Sequence, residues 1–250
     1  MDKSEEIIIA LLRFGLFDGE EPCFEGDIDW NAVLQTSKKH AVTALTHDAI
    51  LKLPTEKRPP RQVLFHFTSL TADIEKASRQ RQTGLNQFAE AVYNELGLKT
   101  PVTKGFCTAR HYPNYSHREC GDNDLYFGPS ADKVDQIAAK LGAKVNKENQ
   151  RHSAFRLFGA NFENHSYLLY GEKEPEWGFI DSGTPHVVYL NPTHEALFCA
   201  AHTEYHAMFF NTPIVLRSLV DWALIVTQPN FDYKAFCHES EGWVLTALQT

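Results

Sequence analysis

The sequence predicts an α+β fold, in which a strand-rich central segment lies between two helical segments. Apolar residues recur every three or four positions in 1–97 and again in 191–250, which is the period of amphipathic helices. Residues 98–190 instead contain short runs of β-branched and aromatic residues separated by Gly, Pro and Asn, which is typical of strands. We therefore expect a helical N-terminal region (1–97), a core (98–190) and a helical C-terminal region (191–250).

The N-terminal region should contain three helices. The first is predicted over 5–14, and a Gly- and acid-rich loop follows it. Asp29 is a suitable N-cap for a second helix over 30–53. The third helix is predicted over 61–96, because Pro59–Pro60 precedes a long run of apolar residues at helical spacing and Gly97 ends it.

The core should alternate between strands and one helix. A short strand runs into Lys104-Gly105, a second lies in the segment DNDLYFG, and a helix is predicted over 130–141. The segments AKVNK, HSAFRLFG, ANFENHSYLLYG, WGFID and PHVVYL then read as successive strands. Helices over 195–210, 213–226 and 233–248 are predicted to complete the chain.

Composition excludes several classes of protein. The 250 residues are 43% hydrophobic, which is sufficient for a normal buried core. A net charge of −8 disfavours binding to nucleic acid or to an anionic membrane. No apolar run reaches the ~18 residues of a membrane span, and the start lacks the basic segment of a signal peptide. Five scattered cysteines without a CxxC pair favour a reducing compartment, so we expect a cytoplasmic protein.

Several familiar catalytic motifs are absent from the sequence. It contains no GxGxxG, no GxxxxGK[ST] and no GxSxG, so the common dinucleotide, P-loop and hydrolase signatures are missing. His194-Glu195 begins like a zinc protease motif, but Phe198 stands where the second histidine is needed.

Two carboxylates on one predicted strand carry the main chemical signal. Asp122 and Asp124 are two residues apart, so a strand would place both on one face, about 6.6 Å apart along the chain. Close carboxylates are tolerated when a cation bridges them, and such hard oxygen ligands suit Mg²⁺ or Mn²⁺. Two ions of this kind can stabilise an in-line phosphoryl displacement. Asn123 should point to the opposite face.

Phosphate-binding residues flank this pair in the sequence. Gly105 allows a close approach of the backbone to phosphate, and Lys104 can neutralise phosphate charge. Arg118 can bind a further phosphate with two parallel hydrogen bonds. Glu163, on a later strand, can add a third carboxylate to the pair.

In the order and spacing of these motifs, the sequence resembles the nucleotidyltransferase superfamily related to DNA polymerase β. More narrowly, it resembles the uncharacterised bacterial NTP_transf_5 family of that superfamily. The residues that carry the resemblance span about 30–226, most of the chain. They are Thr103-Lys104-Gly105, Arg118, Asp122 to Phe127, Glu163-Asn164-His165, His202, His206 and the segment from Leu216-Arg217 to Asp221.

The resemblance implies a minimal nucleotidyltransferase core, with a mixed sheet and flanking helices. It implies metal-dependent transfer of a nucleoside monophosphate from an NTP such as ATP to an unidentified acceptor. Asp122, Asp124 and Glu163 would hold Mg²⁺ or Mn²⁺, with Glu163 as an alternative base on the acceptor. Lys104, Gly105, Arg118 and Arg217 would bind the nucleotide, and His165, His202 and His206 would line the pocket.

Two alternatives remain open at this stage. Asn123 replaces the usual apolar residue and Phe106 replaces the superfamily's Ser after the glycine, which would suit a catalytically inactive binding module. His202 and His206 are four residues apart on a predicted helix and could form a zinc site with His165. The i, i+4 spacing of Arg217 and Asp221 also fits a simple intrahelical ion pair.

Overall fold

The computed structural model describes residues 2–17, 19–24, 26–148, 151–169, 174–211 and 213–240. The chain separates into two compact units, each built from discontinuous segments. The first consists of Met1–Ser78, Tyr112–Cys120 and Val215–Arg217, and the second of Arg79–His111, Gly121–Ile214 and Ser218–Thr250. In the described ranges, no helix combines the length and the apolar character needed to cross a membrane.

The first unit is helical. It contains α1 (Lys3–Leu16), α2 (Trp30–Lys39), α3 (Thr43–Lys52) and the first half of α4 (Arg61–Leu96). A reciprocal capping box between Asp2 and Glu5 starts α1, which packs its apolar face against α2 and α3. The predicted bounds of α4 are confirmed, and Gly97 ends it with a φ of +67°.

The prediction of one helix over 30–53 is wrong, because the chain breaks it at Ala41. Ala41 has a φ of +54°, and its amide donates to the carbonyl of Lys38. The amide of Val42 donates to the carbonyl of Ser37, which completes the double hydrogen bond of a Schellman turn. The left-handed residue ends α2 and redirects the chain into α3.

The second unit contains a six-stranded mixed sheet, so the predicted α+β class is confirmed. Its strands are β1 (Thr100–Val102), β2 (Asn123–Tyr126), β3 (His152–Leu157), β4 (Ala160–His165), β5 (Phe179–Asp181) and β6 (Val187–Leu190). They lie in the order β3-β4-β2-β1-β6-β5. The β2–β4 and β1–β6 pairs are parallel and the other neighbours are antiparallel. The segment AKVNK forms only one isolated bridge, between Asn146 and Ala154, rather than the predicted strand.

Helices accompany the sheet in this unit. They are α5 (Phe106–Ala109), α6 (Ala131–Lys140), α7 (Pro192–Phe210), most of α8 (Leu216–Val226) and α9 (Tyr233–Ser240). Ser130 precedes α6 but its side chain makes no capping hydrogen bond. The helix predicted over 233–248 is observed to Ser240, and its remaining residues lie outside the described part of the chain.

Strand alternation gives the sheet an aromatic face and a polar face. On the aromatic face, Phe155 and Phe162 pack against Phe88 of α4, with ring centroids 5.3 and 5.0 Å from that of Phe88. Gly84 allows this close packing, since a Cβ there would lie 2.7 Å from the Cβ of Ala160. The other face carries the charged residues of β2 and β4, and α7 packs there through Phe198.

Candidate functional site

The parallel pairing of β2 with β4 brings two of the predicted carboxylates side by side. Asp124 lies opposite Glu163 in this register, and paired residues of neighbouring strands point to the same face, about 4.8 Å apart. Asn123 pairs with Phe162 and is fully buried on the other face, as its position in the strand predicts. The structure therefore places Asp124 and Glu163 together on the polar face.

Asp122 lies just before β2 rather than on it, because the strand begins at Asn123. It nevertheless lines the same opening as Glu163. This is a cleft of about 430 Å³ lined by Gly121, Asp122, Ala154, Phe155, Asn161, Phe162 and Glu163.

Asp124 is a buried charge with cationic and polar neighbours. It is only 3% exposed, and its Oδ1 lies 3.5 Å from Nε2 of His165. Burial alone would raise its pKa, but the Lys104 ammonium and the His165 ring together hold that pKa well below its ordinary value. Asp124 is therefore an ionised acceptor at neutral pH.

Glu163 is the more accessible of the two acids. Its side chain is 29% exposed, against 4% for that of Asp124. Burial raises its pKa, but His165 and His152 outweigh that effect and lower it overall. The Glu163 Oε2 atom lies 3.6 Å from Nε2 of His165 and 3.7 Å from Nε2 of His152.

The Lys104-Gly105 turn lies against the segment that carries the two aspartates. Thr103 donates its backbone N–H to the carbonyl of Asp124 at 2.9 Å. Gly105 follows with a φ of +66°, and a Cβ there would lie 3.2 Å from the carbonyl oxygen of Asp122. This close approach and left-handed conformation explain the glycine. As predicted, the turn joins a strand to a helix, but α5 is only four residues long.

The two histidines of α7 stack over this turn. The rings of His202 and His206 have centroids 4.4 Å apart. Lys104 Nζ lies 3.1 Å from Nδ1 and 3.2 Å from Nε2 of His202. Burial, followed by the charge of Lys104, lowers the pKa of both histidines, so His202 is a neutral ring that can accept a hydrogen bond from Lys104.

The two predicted nucleotide-binding arginines belong to the first unit. Arg217 donates through Nη1 to the carbonyl of Glu119 at 2.7 Å, and its backbone N–H donates to the carbonyl of His40. Arg118 is almost completely buried in the same unit. Their roles in nucleotide binding stay predictions.

The sequence favours a hydrogen-bonded core or pocket position for His152, and the structure places this residue beside Glu163 and His165. Phe158 and Gly159 have φ values of +50° and +76°, which form a tight two-residue hairpin turn. That turn pairs His152 with His165, and their ring centroids lie 4.9 Å apart. Counting back from the Phe158-Gly159 turn would have given this pairing from the sequence.

In the described part of the chain, His152, Glu163 and His165 form the one set of ligand-type side chains able to share a metal ion. One candidate atom from each residue lies within 4.8 Å of the others. Of the three histidines considered for zinc, only His165 belongs to this set. The structure thus brings together Lys104, Asp124, Glu163, His165 and His202, with Gly105 beside the carbonyl of Asp122 and His206 stacked on His202.

Comparison with known proteins identifies relatives at the level of the family. Residues 26–248 match the model of a family described as uncharacterised nucleotidyltransferase. None of the curated proteins compared with the sequence matches it. Two solved structures of the antibiotic-resistance factor ANT(2'')-Ia share 12% and 14% sequence identity with the chain, with TM-scores of 0.46 and 0.45. The first is a crystal structure in complex with adenylyl-2''-tobramycin, and its alignment covers 66% of this chain and 97% of the ANT(2'')-Ia chain. The second is a solution structure, and its alignment covers 64% of this chain and 86% of the other.

Proposed function

Because the chain belongs to the uncharacterised nucleotidyltransferase family, we propose that it moves a nucleoside monophosphate from an NTP to an acceptor in a divalent-metal-dependent reaction. The observation that supports this most directly is the pairing of Asp124 with Glu163 beside the Lys104-Gly105 turn. Asp122 lines a cleft with Glu163. One substrate would therefore contact three carboxylates and the Lys104-Gly105 turn, which would bind its phosphates.

The donor set fits the divalent ion that such a reaction needs. Asp122, Asp124 and Glu163 offer carboxylate oxygens, which are the preferred ligands of Mg²⁺ and Mn²⁺, and Asp124 has its pKa held low enough to remain ionised. These three residues would hold the ion, which when bound polarises the phosphate oxygens and neutralises developing charge.

The remaining residues would orient the triphosphate and the acceptor. The Lys104 ammonium would offset phosphate charge, while the neutral His202 ring holds it in place through a hydrogen bond. Gly105 would let a phosphate approach the backbone closely. His165 and His206 would line the pocket.

Glu163 is the better placed acid to receive a proton from the acceptor hydroxyl. Its side chain is 29% exposed and borders the cleft, whereas the carboxylate of Asp124 is enclosed. A base must come within hydrogen-bond reach of the proton that it accepts, and of this pair the more exposed Glu163 carboxylate meets this condition.

The test supplies each of the four NTPs, labelled in the α-phosphate, together with Mg²⁺ and a cell extract as the source of acceptor. The measurement is the transfer of the label from the NTP to another molecule. We expect the wild-type protein to transfer label, and Asp122→Asn and Asp124→Asn each to lose at least ~10²-fold of the rate. Asp132→Asn, an exposed carboxylate of the second unit, is the matched control and should retain it.

Calorimetry with each NTP and Mg²⁺ separates catalysis from binding alone. Tight binding without label transfer from any NTP would favour the inactive binding module. Equal transfer by the wild type and both aspartate variants would refute the proposed role of these residues.

A further inference from the structure

The pair of histidines beside Glu163 carries chemistry that a carboxylate-bound Mg²⁺ does not use. His152 and His165 oppose each other on the β3–β4 hairpin, and Glu163 lies between them on the same face. Mg²⁺ prefers oxygen ligands, whereas imidazole nitrogen favours zinc and its first-row neighbours. This set therefore differs in kind from the three carboxylates of the proposed transfer site.

The two separations from Glu163 are close to those between ligands of a tetrahedral ion. The Glu163 Oε2 atom lies 3.7 Å from Nε2 of His152 and 3.6 Å from Nε2 of His165. Both separations are too long for direct hydrogen bonds. Ligands at about 2.1 Å from a tetrahedral zinc ion are themselves about 3.4 Å apart, so the two Glu163 separations exceed that value by only a few tenths of an ångström. One candidate atom from each of the three residues lies within 4.8 Å of the others.

The hydrogen bonding of His165 points independently to a missing ligand. His165 is 1% exposed, yet neither of its ring nitrogens has a hydrogen-bond partner among the residues that the structure describes. A buried polar atom without a partner costs about 1–3 kcal/mol, so such atoms call for an explanation. Within the described ranges, the Nδ1 of His152 is likewise buried without a hydrogen bond. An ion bound between the rings would use Nε2 of His165, the nitrogen that faces Glu163.

An ion can reach this position from solvent. Glu163 borders the 430 Å³ cleft and His152 is only partly buried. Asp124 Oδ1, 3.5 Å from His165, adds a second negative charge next to the set, which offsets the nearby positive charges of Lys104 and Arg151.

We propose that His152, Glu163 and His165 bind one first-row transition-metal dication of the zinc class, in preference to Mg²⁺. The proposal goes beyond the transfer reaction and shares with it only Glu163 and the pocket-lining His165. Occupancy of this set would therefore withdraw Glu163 from the carboxylate site.

The test is calorimetric titration of untagged, chelator-treated protein with Zn²⁺ in excess Mg²⁺, without nucleotide. We expect one Zn²⁺ per chain, with affinity at least about tenfold weaker in both His152→Ala and Glu163→Gln. The exposed His66 provides the control, and His66→Ala should bind like the wild type. Co²⁺ should give visible d–d absorption in the wild type, and His152→Ala should lose it.

Two results would overturn the proposal: unchanged Zn²⁺ affinity in His152→Ala, or displacement of Zn²⁺ by Mg²⁺ in the wild type. Circular dichroism of the metal-free variants checks folding, and His152→Gln replaces the alanine variant if that one unfolds. Asp122→Asn separates this proposal from the transfer reaction, because it should abolish transfer and leave Zn²⁺ binding intact. Loss of both would contradict the independence of the two sites.

Discussion

Replacing Lys104 by methionine tests whether this ammonium stabilises the buried carboxylate of Asp124. The variant keeps the length of the side chain and removes its charge. Asp124 would then remain 3% exposed, with His165 as its closest compensating group. We expect the metal-free protein to lose stability.

The expected loss follows from burial and from the neighbours that remain. Removing one partner of a fully buried ion pair costs about 3–5 kcal/mol. Lys104 is only partly buried and His165 stays in place, so we expect about 1–3 kcal/mol, as for hydrogen bonds to charged groups. Lys104→Arg should recover part of this loss because it restores the charge.

A double-mutant cycle with Asp124→Asn isolates the interaction. Urea unfolding followed by tryptophan fluorescence would give the free energy of each single variant and of the pair. We expect Lys104→Met to lower the free energy of unfolding by clearly less in the Asp124→Asn background, where residue 124 is already neutral. Lys140→Met, at an exposed pair with Glu95, should change stability by less than about 0.5 kcal/mol. Additivity of the Lys104 and Asp124 variants within about 0.5 kcal/mol would refute the reasoning.

The pH dependence of the same pair has a definite sign. Burial raises the pKa of Asp124, but Lys104 and His165 lower it well below its usual value overall. Its stabilising contribution is therefore complete above about pH 4, the range of an unfolded aspartate, and is lost as the pH falls towards the folded pKa. Lys104→Met should flatten this acid dependence.

Three further changes test other parts of the fold. Burial lowers the pKa of His117, but hydrogen bonds with Asp48 (2.6 Å) and Glu75 (3.0 Å) raise it overall. The contribution of His117 to the free energy of unfolding is complete below about pH 6.5 and is lost as the pH rises through its folded pKa. Urea unfolding of the wild type should show this loss, and that of His117→Gln should not. Phe88→Ala should lower the free energy of unfolding by about 3–5 kcal/mol, against much less for Phe88→Leu, and equal losses would contradict the observed aromatic packing. Ala41→Gly should raise the melting temperature, because relief of about 1–2 kcal/mol of left-handed strain exceeds the added chain entropy of glycine; a lower melting temperature would argue against the Schellman turn.

Elements bounded by strong local signals could be read from the sequence. Pro60 and Gly97 delimit α4 because proline favours a helix start and glycine adopts the left-handed conformation that ends one. The break at Ala41 has no such signal, since an alanine held in a left-handed conformation by hydrogen bonds looks like any helical alanine.

The site shows the same division between local and long-range information. The order of Lys104, Asp124 and Glu163 along the chain suggested one site, but their burial depends on contacts that no local pattern reveals. The parallel pairing of β2 with β4 joins residues about forty positions apart, and α7 brings His202 to Lys104 across nearly a hundred. Only His152 could have been found locally, by counting from the hairpin turn.

The charges around Asp124 are arranged to receive a dication and a polyanion together. Asp122, Asp124 and Glu163 supply three carboxylates, while Lys104 and Arg151 supply two cations. The imidazoles of His152, His202 and His206 have lowered pKa values. A single Mg²⁺ would thus bring the cluster to a net positive charge, which a triphosphate offsets. We expect Mg²⁺ and NTP each to strengthen the binding of the other by at least about fivefold, since linkage makes the coupling reciprocal.

Calorimetry of each ligand in the absence and presence of the other measures this coupling. Glu163→Gln should weaken Mg²⁺ binding both with and without nucleotide, because it removes one of the three carboxylates. The same Mg²⁺ affinity with and without bound nucleotide would show that the carboxylates and the Lys104-Gly105 turn do not serve one substrate.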